Sequence, residues 1–370
     1  MQELVSILIP CRNEEGFIAT TLDNLLGQDY PRERMEIFVI DGRSTDRTRE
    51  IVSEYAQREP SVQLLDNPEG IVPFALNKAI KKAKGSVILR MDAHSEYPQN
   101  YVSRLVQVLI ETGADNVGGV WDTQPASEAP MAQAIALATS HPFGIGNASY
   151  RLGAAEIKEV DTVPYGCYRR DVFDRIGDFD EELVRNQDDE FNARLIQNGG
   201  KILLVPDLFI RYFARPTLPK MMKMFYQYGY YKPLVNMKLK QPATWRQFIP
   251  LGFVAGTLIA LWGILLPLLI ALGMRVINGQ IDLTLFSLGL LVLLQFSLLA
   301  LIGAWTLYGL ANVLVSIKLA IDKKRPGLLP LFPIVFLMIH WSYGWGYLKG
   351  IFFHKILKKK GNHRKAEISR

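Results

Sequence analysis

The sequence predicts an α/β domain, a mostly parallel sheet with helices on both faces, followed by C-terminal transmembrane helices. Two observations predict the domain. Short apolar runs alternate with helix-period segments through the first 120 residues, and polar clusters, two of them bearing carboxylates at the strand ends, stand after those runs. A third predicts the membrane part: no charge occurs between Arg246 and Arg275, and again none from Leu283 to Ile317.

The elements follow in order. VSILIP (5–10) is a short apolar run closed by Pro10, and Phe17, Ile18, Leu22, Leu25 and Leu26 then recur at helical spacing. MEIFVID (35–41) reads as the second strand, followed by a turn with Thr45 and Asp46 and a helix from Arg47 to Gln57. VQLL (62–65) is the third strand, Ile71 to Ala83 a helix, and SVILRMD (86–92) the fourth strand. This βαβα order implies a parallel sheet, whose ligands bind at the carboxyl ends of the strands. The residues to read are therefore Arg12, Asn13 and Glu14, then Asp41 and Gly42, then Asp92, Ala93 and His94. No GxGxxG follows the first strand and no GxxxxGK[ST] occurs, which weakens dinucleotide and P-loop readings.

Charge divides the chain. Residues 1–249 hold 29 basic and 33 acidic residues, net −4, and residues 250–370 hold 13 basic and 3 acidic, net +10. The basic balance thus belongs to the C-terminal third, which argues against a nucleic-acid-binding domain. Two cysteines, Cys11 and Cys167, cannot make a disulfide framework or a Cys-rich zinc site. MQELVSILIP lacks the pattern of a signal peptide, so residues 1–240 are expected on the cytoplasmic side.

Ile249–Gly273 is long enough to span a bilayer, which takes about 20 apolar residues. A third run, Gly327 to Leu348, is mixed with His340, Trp341, Tyr343, Trp345 and Tyr347, aromatics that favour an interface or a span ending in one. The expected organisation is a domain over 1–240, with 215–240 an interfacial or linker helix, a membrane domain over 249–353 with about three hydrophobic helices, and a basic tail over 354–370. The loop Lys318–Arg325 and the tail from Lys355 are both basic, so both belong on the cytoplasmic side. That requires an even number of crossings. The third run is therefore re-entrant or interfacial, or it crosses despite its basic tail; the side of the tail stays open.

Two clusters are site candidates. Asp92 and His94, two apart at a strand end, can share a divalent ion, Mg²⁺ or Mn²⁺, that also takes diphosphate oxygens. On spacing alone the better reading is that Asp92 caps a turn with His94 on the surface, since such triplets are common by chance. Asn186-Gln187-Asp188-Asp189-Glu190 puts three carboxylates at a helix start, where they complement its positive end. They can also supply a general base, since crowded carboxylates raise one another's pKa.

ILIPCRNEE (7–15), VIDGRSTDRT (39–48), AKGSVILRMDAH (83–94) and NQDDEFNARLIQNGGKI (186–202) occur in the order of family 2 glycosyltransferases, and the chain resembles that family over about residues 3–235. HPFGIGN (141–147), VPYGCYRRDVF (163–173), RNQDDEF (185–191) and QYGYYK (227–232) make it most similar to the succinoglycan-type exopolysaccharide glucosyltransferases. The resemblance implies an inverting enzyme with the Rossmann-like GT-A fold. It implies that Pro10, Arg12 and Glu14 surround the nucleoside, that Asp41 contacts the base, and that Asp92 and His94 match the DxD metal motif, with Asp92 also on the nucleotide-sugar. It implies that Asp188 is the catalytic base of the ED motif. His94 replaces the second aspartate of DxD, and Gln187 replaces the glutamate of ED, so Asp189 or Glu190 is a candidate to assist. The QxxRW motif of processive synthases is missing. QYGYYK stands in about its place, with Gln227, Tyr228 and Lys232 as acceptor-side candidates, which suggests addition of one sugar.

The expected activity is transfer of a hexose, glucose first, from a UDP-sugar to a polyprenyl-diphosphate-linked sugar in exopolysaccharide biosynthesis, at the inner (plasma) membrane. The expected partners are the UDP-sugar, the polyprenyl-linked lipid and the membrane, without nucleic acid. Two alternatives are a polyprenyl-phosphate hexosyltransferase and a non-catalytic membrane partner of a polysaccharide assembly complex.

Overall fold

β1 (Val5–Cys11) is buried along its whole length, as a central strand of a parallel sheet must be. The computed structural model describes residues 2–242, 244–278 and 285–358. After β1 come α1 (Ile18–Leu26), β2 (Met35–Asp41), α2 (Thr48–Arg58), β3 (Val62–Asp66), α3 (Val72–Lys82) and β4 (Val87–Arg90). β1 pairs in parallel with both β2 and β4, and β2 with β3. The expected alternation is present with boundaries shifted by a few residues at most.

The second half of the sheet is mixed. It contains β5 (Ser95–Glu96), α4 (Tyr101–Thr112), β6 (Asn116–Gln124), α5 (Pro130–Ala138), the short α6 (Pro142–Ile145) and α7 (Ser149–Leu152), β7 (Lys158–Glu159), β8 (Cys167–Arg169), α8 (Asp171–Ile176), α9 (Gln187–Gln197) and β9 (Ile202–Phe213). The strand order is β3-β2-β1-β4-β8-β6-β9-β5, with β7 also on β9. β8 runs antiparallel between β4 and β6, while β6 and β9 are parallel. The chain ends of β1, β2, β4, β6 and β9 therefore emerge on one edge. The chain reverses its building direction between β1 and β4, which opens a crevice at that edge.

Alternate residues of β1 feed two cores. Val5, Ile7 and Ile9 pack with α1 and α4 residues such as Leu22 and Leu105. Leu8 packs on the other face with Leu76 of α3 and Phe191 of α9. Phe179 stacks on Phe191 with centroids 4.3 Å apart, and Phe173 and Tyr168 close around them. This aromatic cluster seats α9, and full burial of one such ring contributes about 1.5–3 kcal/mol.

α10 (Leu218–Leu239), α11 (Phe248–Asn278), α12 (Leu285–Asp322) and α13 (Phe332–Gly350) complete the chain. α11 and α12 are long and apolar enough to cross a membrane, over Trp245–Leu272 and Leu288–Asp322. Most of their large side chains are exposed, as a lipid-facing surface requires. The third apolar run behaves differently. Phe332, Val335, Phe336 and Ile339 of α13 are buried with Ala134 and Ile135 of α5 and Met221 and Met224 of α10. A Cβ on Gly346 or Gly350 would run into the carbonyls of Tyr226 and Tyr230, and one on Gly229 into that of Tyr343. These glycines let α10 and α13 touch backbone to backbone. A π-helical turn, Ile351–Ile356, follows α13. Of the basic tail, Lys359, Lys360, Arg364, Lys365 and Arg370 lie outside the described residues.

Candidate active site

Loops after β1 and β2 form one end of the site. Asn13 takes a left-handed backbone (φ 56°), a conformation asparagine tolerates better than most residues. Its N–H donates to Ser44 Oγ at 2.8 Å, and its side-chain carbonyl accepts the Thr45 N–H at 2.8 Å. Asp41 is 2% exposed; it accepts the Ser44 N–H at 3.2 Å and pairs with Arg49 at 3.3 Å. It shapes this turn from behind, while Pro10, Arg12, Gly42 and Arg43 face the cleft.

The fourth strand supplies the centre. Arg90 ends β4 and Asp92 follows two residues on, with the two side chains paired. The Arg90 guanidinium is buried and contacts Asp92 Oδ1 at 3.1 and 3.3 Å. Its other terminal nitrogen reaches both carboxylate oxygens of Asp188, at 2.6 and 2.5 Å. His94 lies in the same cleft with its Nδ1 3.4 Å from Glu14 Oε1. Glu14 is buried behind His94, and its N–H donates to Thr48 Oγ1 at 2.7 Å, so it backs the imidazole rather than lining the cleft.

The start of α9 supplies the carboxylates. Asn186 is left-handed (φ 62°), and its amide donates to the Tyr228 carbonyl at 2.8 Å, tying α9 to α10. Asp188 then faces Arg90, and Asp189 pairs with Lys232 at 2.6 Å. Glu190 turns inward to Arg194 at 2.8 Å and does not reach the cleft. Consecutive helical residues point about 100° apart, so three in a row cannot share one face. Tyr228 and Lys232 line the cleft; Gln227 stands behind it, accepting from Arg185 Nε at 3.2 Å.

Burial raises the Asp188 carboxyl above its ordinary value; Arg90 opposes the rise, and Asp92 and Asp189 add to it. Burial lowers the His94 imidazole; Asp92 opposes, and Arg215, Arg90 and Arg185 add. His94 is thus neutral near pH 7, with a lone pair available. Its Nδ1 is turned to Glu14, 3.4 Å away behind the cleft, which leaves Nε2 as the ring nitrogen for an ion. Among the described residues no three His, Cys, Asp or Glu side chains form a ready-made cage for an ion. The Asp92 carboxylate and the neutral His94 imidazole, which line one cleft and act on one another, fit an ion whose other ligands arrive with a nucleotide diphosphate.

Arg90, Arg185 and Arg215 were not singled out from the sequence. The signal for Arg90 was its i, i+2 relation to Asp92; for Arg215 it was its position just past the end of β9. All three line a continuous cleft of about 2310 Å³, which runs from Arg12 past Asp92 and Asp188 to Phe143, Phe253 of α11, Tyr308 of α12 and Tyr343 of α13.

Strand order 3-2-1-4, with a carboxylate beyond the fourth strand joined through Arg90 to a second one on α9, is the arrangement of a GT-A fold. The chain belongs to glycosyltransferase family 2: the model of glycosyl transferase family 2 matches residues 6–177. Succinoglycan biosynthesis protein ExoA of Rhizobium meliloti (strain 1021) is 31% identical over 248 residues, 66% of this chain and 74% of ExoA. The dolichyl N-acetyl-α-D-glucosaminyl phosphate 3-β-D-2,3-diacetamido-2,3-dideoxy-β-D-glucuronosyltransferase of Methanococcus voltae is 27% identical over 355 residues, 94% of this chain and 97% of that protein. Mannosyltransferase PcManGT from Pyrobaculum calidifontis, solved with GDP-Man and Mn²⁺, superposes with a TM-score of 0.55 at 18% identity, covering 93% of this chain and 88% of its own. That likeness shows the fold. The chain is a glycosyltransferase related to ExoA and to lipid-linked sugar transferases. Asp188 lies beyond the family match, so its role is argued from geometry.

Proposed function

We propose that this enzyme transfers a hexose, glucose being the first to test, from a UDP-sugar to a hydroxyl of a polyprenyl-diphosphate-linked sugar, with inversion, in exopolysaccharide biosynthesis. The observation that carries the reading is the Arg90 bridge between Asp92 and Asp188, in a cleft whose far wall is built from α11, α12 and α13. The M. voltae relative is named for transfer to a dolichyl-phosphate-linked sugar and ExoA for succinoglycan biosynthesis, which supports a lipid-linked acceptor.

Asp188 takes the acceptor hydroxyl proton as that oxygen attacks the anomeric carbon, and the bond from that carbon to the diphosphate breaks. Each Asp188 oxygen holds one bond from Arg90 and keeps a lone pair for the hydroxyl. Asp189, neutralised by Lys232, keeps α10 docked against the base-bearing turn. Arg12, Arg43 and the turn shaped by Asp41 receive the nucleoside end. Asp92, with His94, would hold a Mg²⁺ or Mn²⁺ ion, which supplies positive charge for the departing diphosphate.

α11 and α12 cross the plasma membrane as a hairpin, with α10 and α13 at the interface. Two crossings return the basic residues 318–325 and the tail to the cytoplasmic side of the catalytic domain, as the charge bias favours.

The test is product analysis with the full chain in liposomes, offering UDP-glucose, UDP-GlcNAc or GDP-mannose against a polyprenyl-diphosphate-linked hexose and against free polyprenyl phosphate. Sugar added to the lipid-linked hexose is the expected result. Sugar found only on free polyprenyl phosphate would replace this reading with a lipid-phosphate sugar synthase.

A further inference from the structure

The cleft that holds Asp92 and Asp188 also carries a cationic pair and an apolar arm. Arg185 and Arg215 both line it. They lie close enough to act on one another's charge, and both act on His94. Arg215 Nε is buried and has no hydrogen-bond partner among the described residues. Two neighbouring guanidiniums repel one another, and an anion between them would relieve that repulsion.

Tyr228 joins this pair to the apolar arm. It senses the charge of Arg185 and packs into the cluster that contains Phe143 and Phe336. Phe143 is held by its carbonyl to His340 Nε2 at 2.7 Å, and His340 Nδ1 meets Tyr308 Oη at 2.9 Å. Tyr308 in turn stacks on Phe253 with centroids 4.5 Å apart. A wall of aromatic rings thus leads from the cations to the two apolar helices.

We propose that Arg185 and Arg215, with Tyr228, form a second anion subsite that holds the phosphate of an isoprenoid diphosphate, its hydrocarbon tail lying along Phe143, Phe253 and Tyr308 toward α11 and α12. This rests on the glycosyltransferase reading and locates its acceptor. It adjoins the donor subsite, since both guanidiniums act on His94 and Asp92 acts on Arg185, and takes a second phosphate beside the donor's.

The test uses the full chain in detergent, with farnesyl diphosphate and UDP as probes in equilibrium dialysis. Wild-type protein saturated with UDP and Mg²⁺ should still bind one farnesyl diphosphate, and that binding should survive EDTA, because guanidiniums rather than an ion hold the phosphate. Arg215→Gln should weaken farnesyl diphosphate by about ten- to hundredfold, the weight of a charge-assisted hydrogen bond, and UDP by less than about threefold; Arg215→Lys should recover part of the loss. Mutual displacement of the two probes by wild-type protein would overturn the proposal, assigning the cations to the donor site without recourse to any variant. Unchanged farnesyl diphosphate affinity in both Arg215→Gln and Arg185→Gln would also overturn it. Simultaneous binding without sugar transfer to any lipid would instead keep the subsite and remove the proposed activity.

Discussion

Arg90 donates from one guanidinium nitrogen to both carboxylate oxygens of Asp188, at 2.6 and 2.5 Å, across 98 positions of sequence. The same side chain contacts Asp92 at 3.1 Å. One buried cation therefore sets the spacing between the carboxylate on the donor side and the carboxylate on the acceptor side. Replacing it leaves two acidic groups facing each other in a partly buried site.

That relationship fixes the sign of the pH dependence. Asp188 works as a base only when ionised, and its pKa is raised above the ordinary aspartate value of about 3.9. Transfer should be constant above the raised pKa and fall as pH drops through it. Arg90 is the group that holds this pKa down, so Arg90→Gln should move the acid limb to higher pH as well as lower the plateau. A pH–rate profile of kcat for the two proteins checks this; an acid limb that stays in place would contradict it.

Asp92→Ala should abolish transfer, and EDTA should do the same to the wild type, with activity returning on Mn²⁺ or Mg²⁺. His94→Ala should be milder, since a neutral imidazole is the lesser ligand for a hard ion. Metal titration of turnover for the three proteins gives the answer. Full activity in EDTA would show that Arg90 and its neighbours neutralise the leaving group alone.

Much of this site was legible because strand ends announce themselves: an apolar run followed by Arg12 or Asp92 marks the sheet's binding edge. What was hidden depends on partners distant in sequence. Nothing local says that Arg90 reaches Asp188, or that Glu14 stands behind His94. The helical turn explains why Glu190 leaves the cluster for Arg194, although the sequence shows three equivalent carboxylates. The run that forms α13 is mostly apolar with aromatics, which reads as an interfacial, re-entrant or spanning segment; its glycines, meeting the carbonyls of Tyr226 and Tyr230, reveal a helix packed on α10. β8, three residues long and antiparallel, is too short to carry a periodic signal.

Phe191→Ala should destabilise the domain by about 3–5 kcal/mol, the usual loss for a buried aromatic. Phe191 is fully buried beneath the turn that carries Asp188. Chemical denaturation should therefore show a lower midpoint, and activity should fall even at temperatures where the variant stays folded. A loss below about 1 kcal/mol would mean that α9 is seated by other contacts.

The full chain should resist alkaline extraction and need detergent, while a chain lacking residues 249–325 should lose that resistance, since α13 and α10 are packed on the domain. Protease access to a C-terminal tag in sealed vesicles checks the hairpin: the tag should lie on the same face as the catalytic domain. A tag on the opposite face would require a third crossing.

The most direct measurement is single-turnover transfer by Asp188→Asn and Asp189→Asn, paired with donor titration. Asp188→Asn keeps the shape and removes the basicity, so transfer to the lipid acceptor should slow by about 10²–10⁴-fold, while UDP-sugar affinity should hold within about tenfold. Asp189→Asn, which only loosens the contact to Lys232, should be milder. If Asp189→Asn is inactive while Asp188→Asn turns over at nearly the wild-type rate, the base is the neighbouring residue. If both keep the full rate, this carboxylate cluster merely caps a helix and the account of catalysis is wrong.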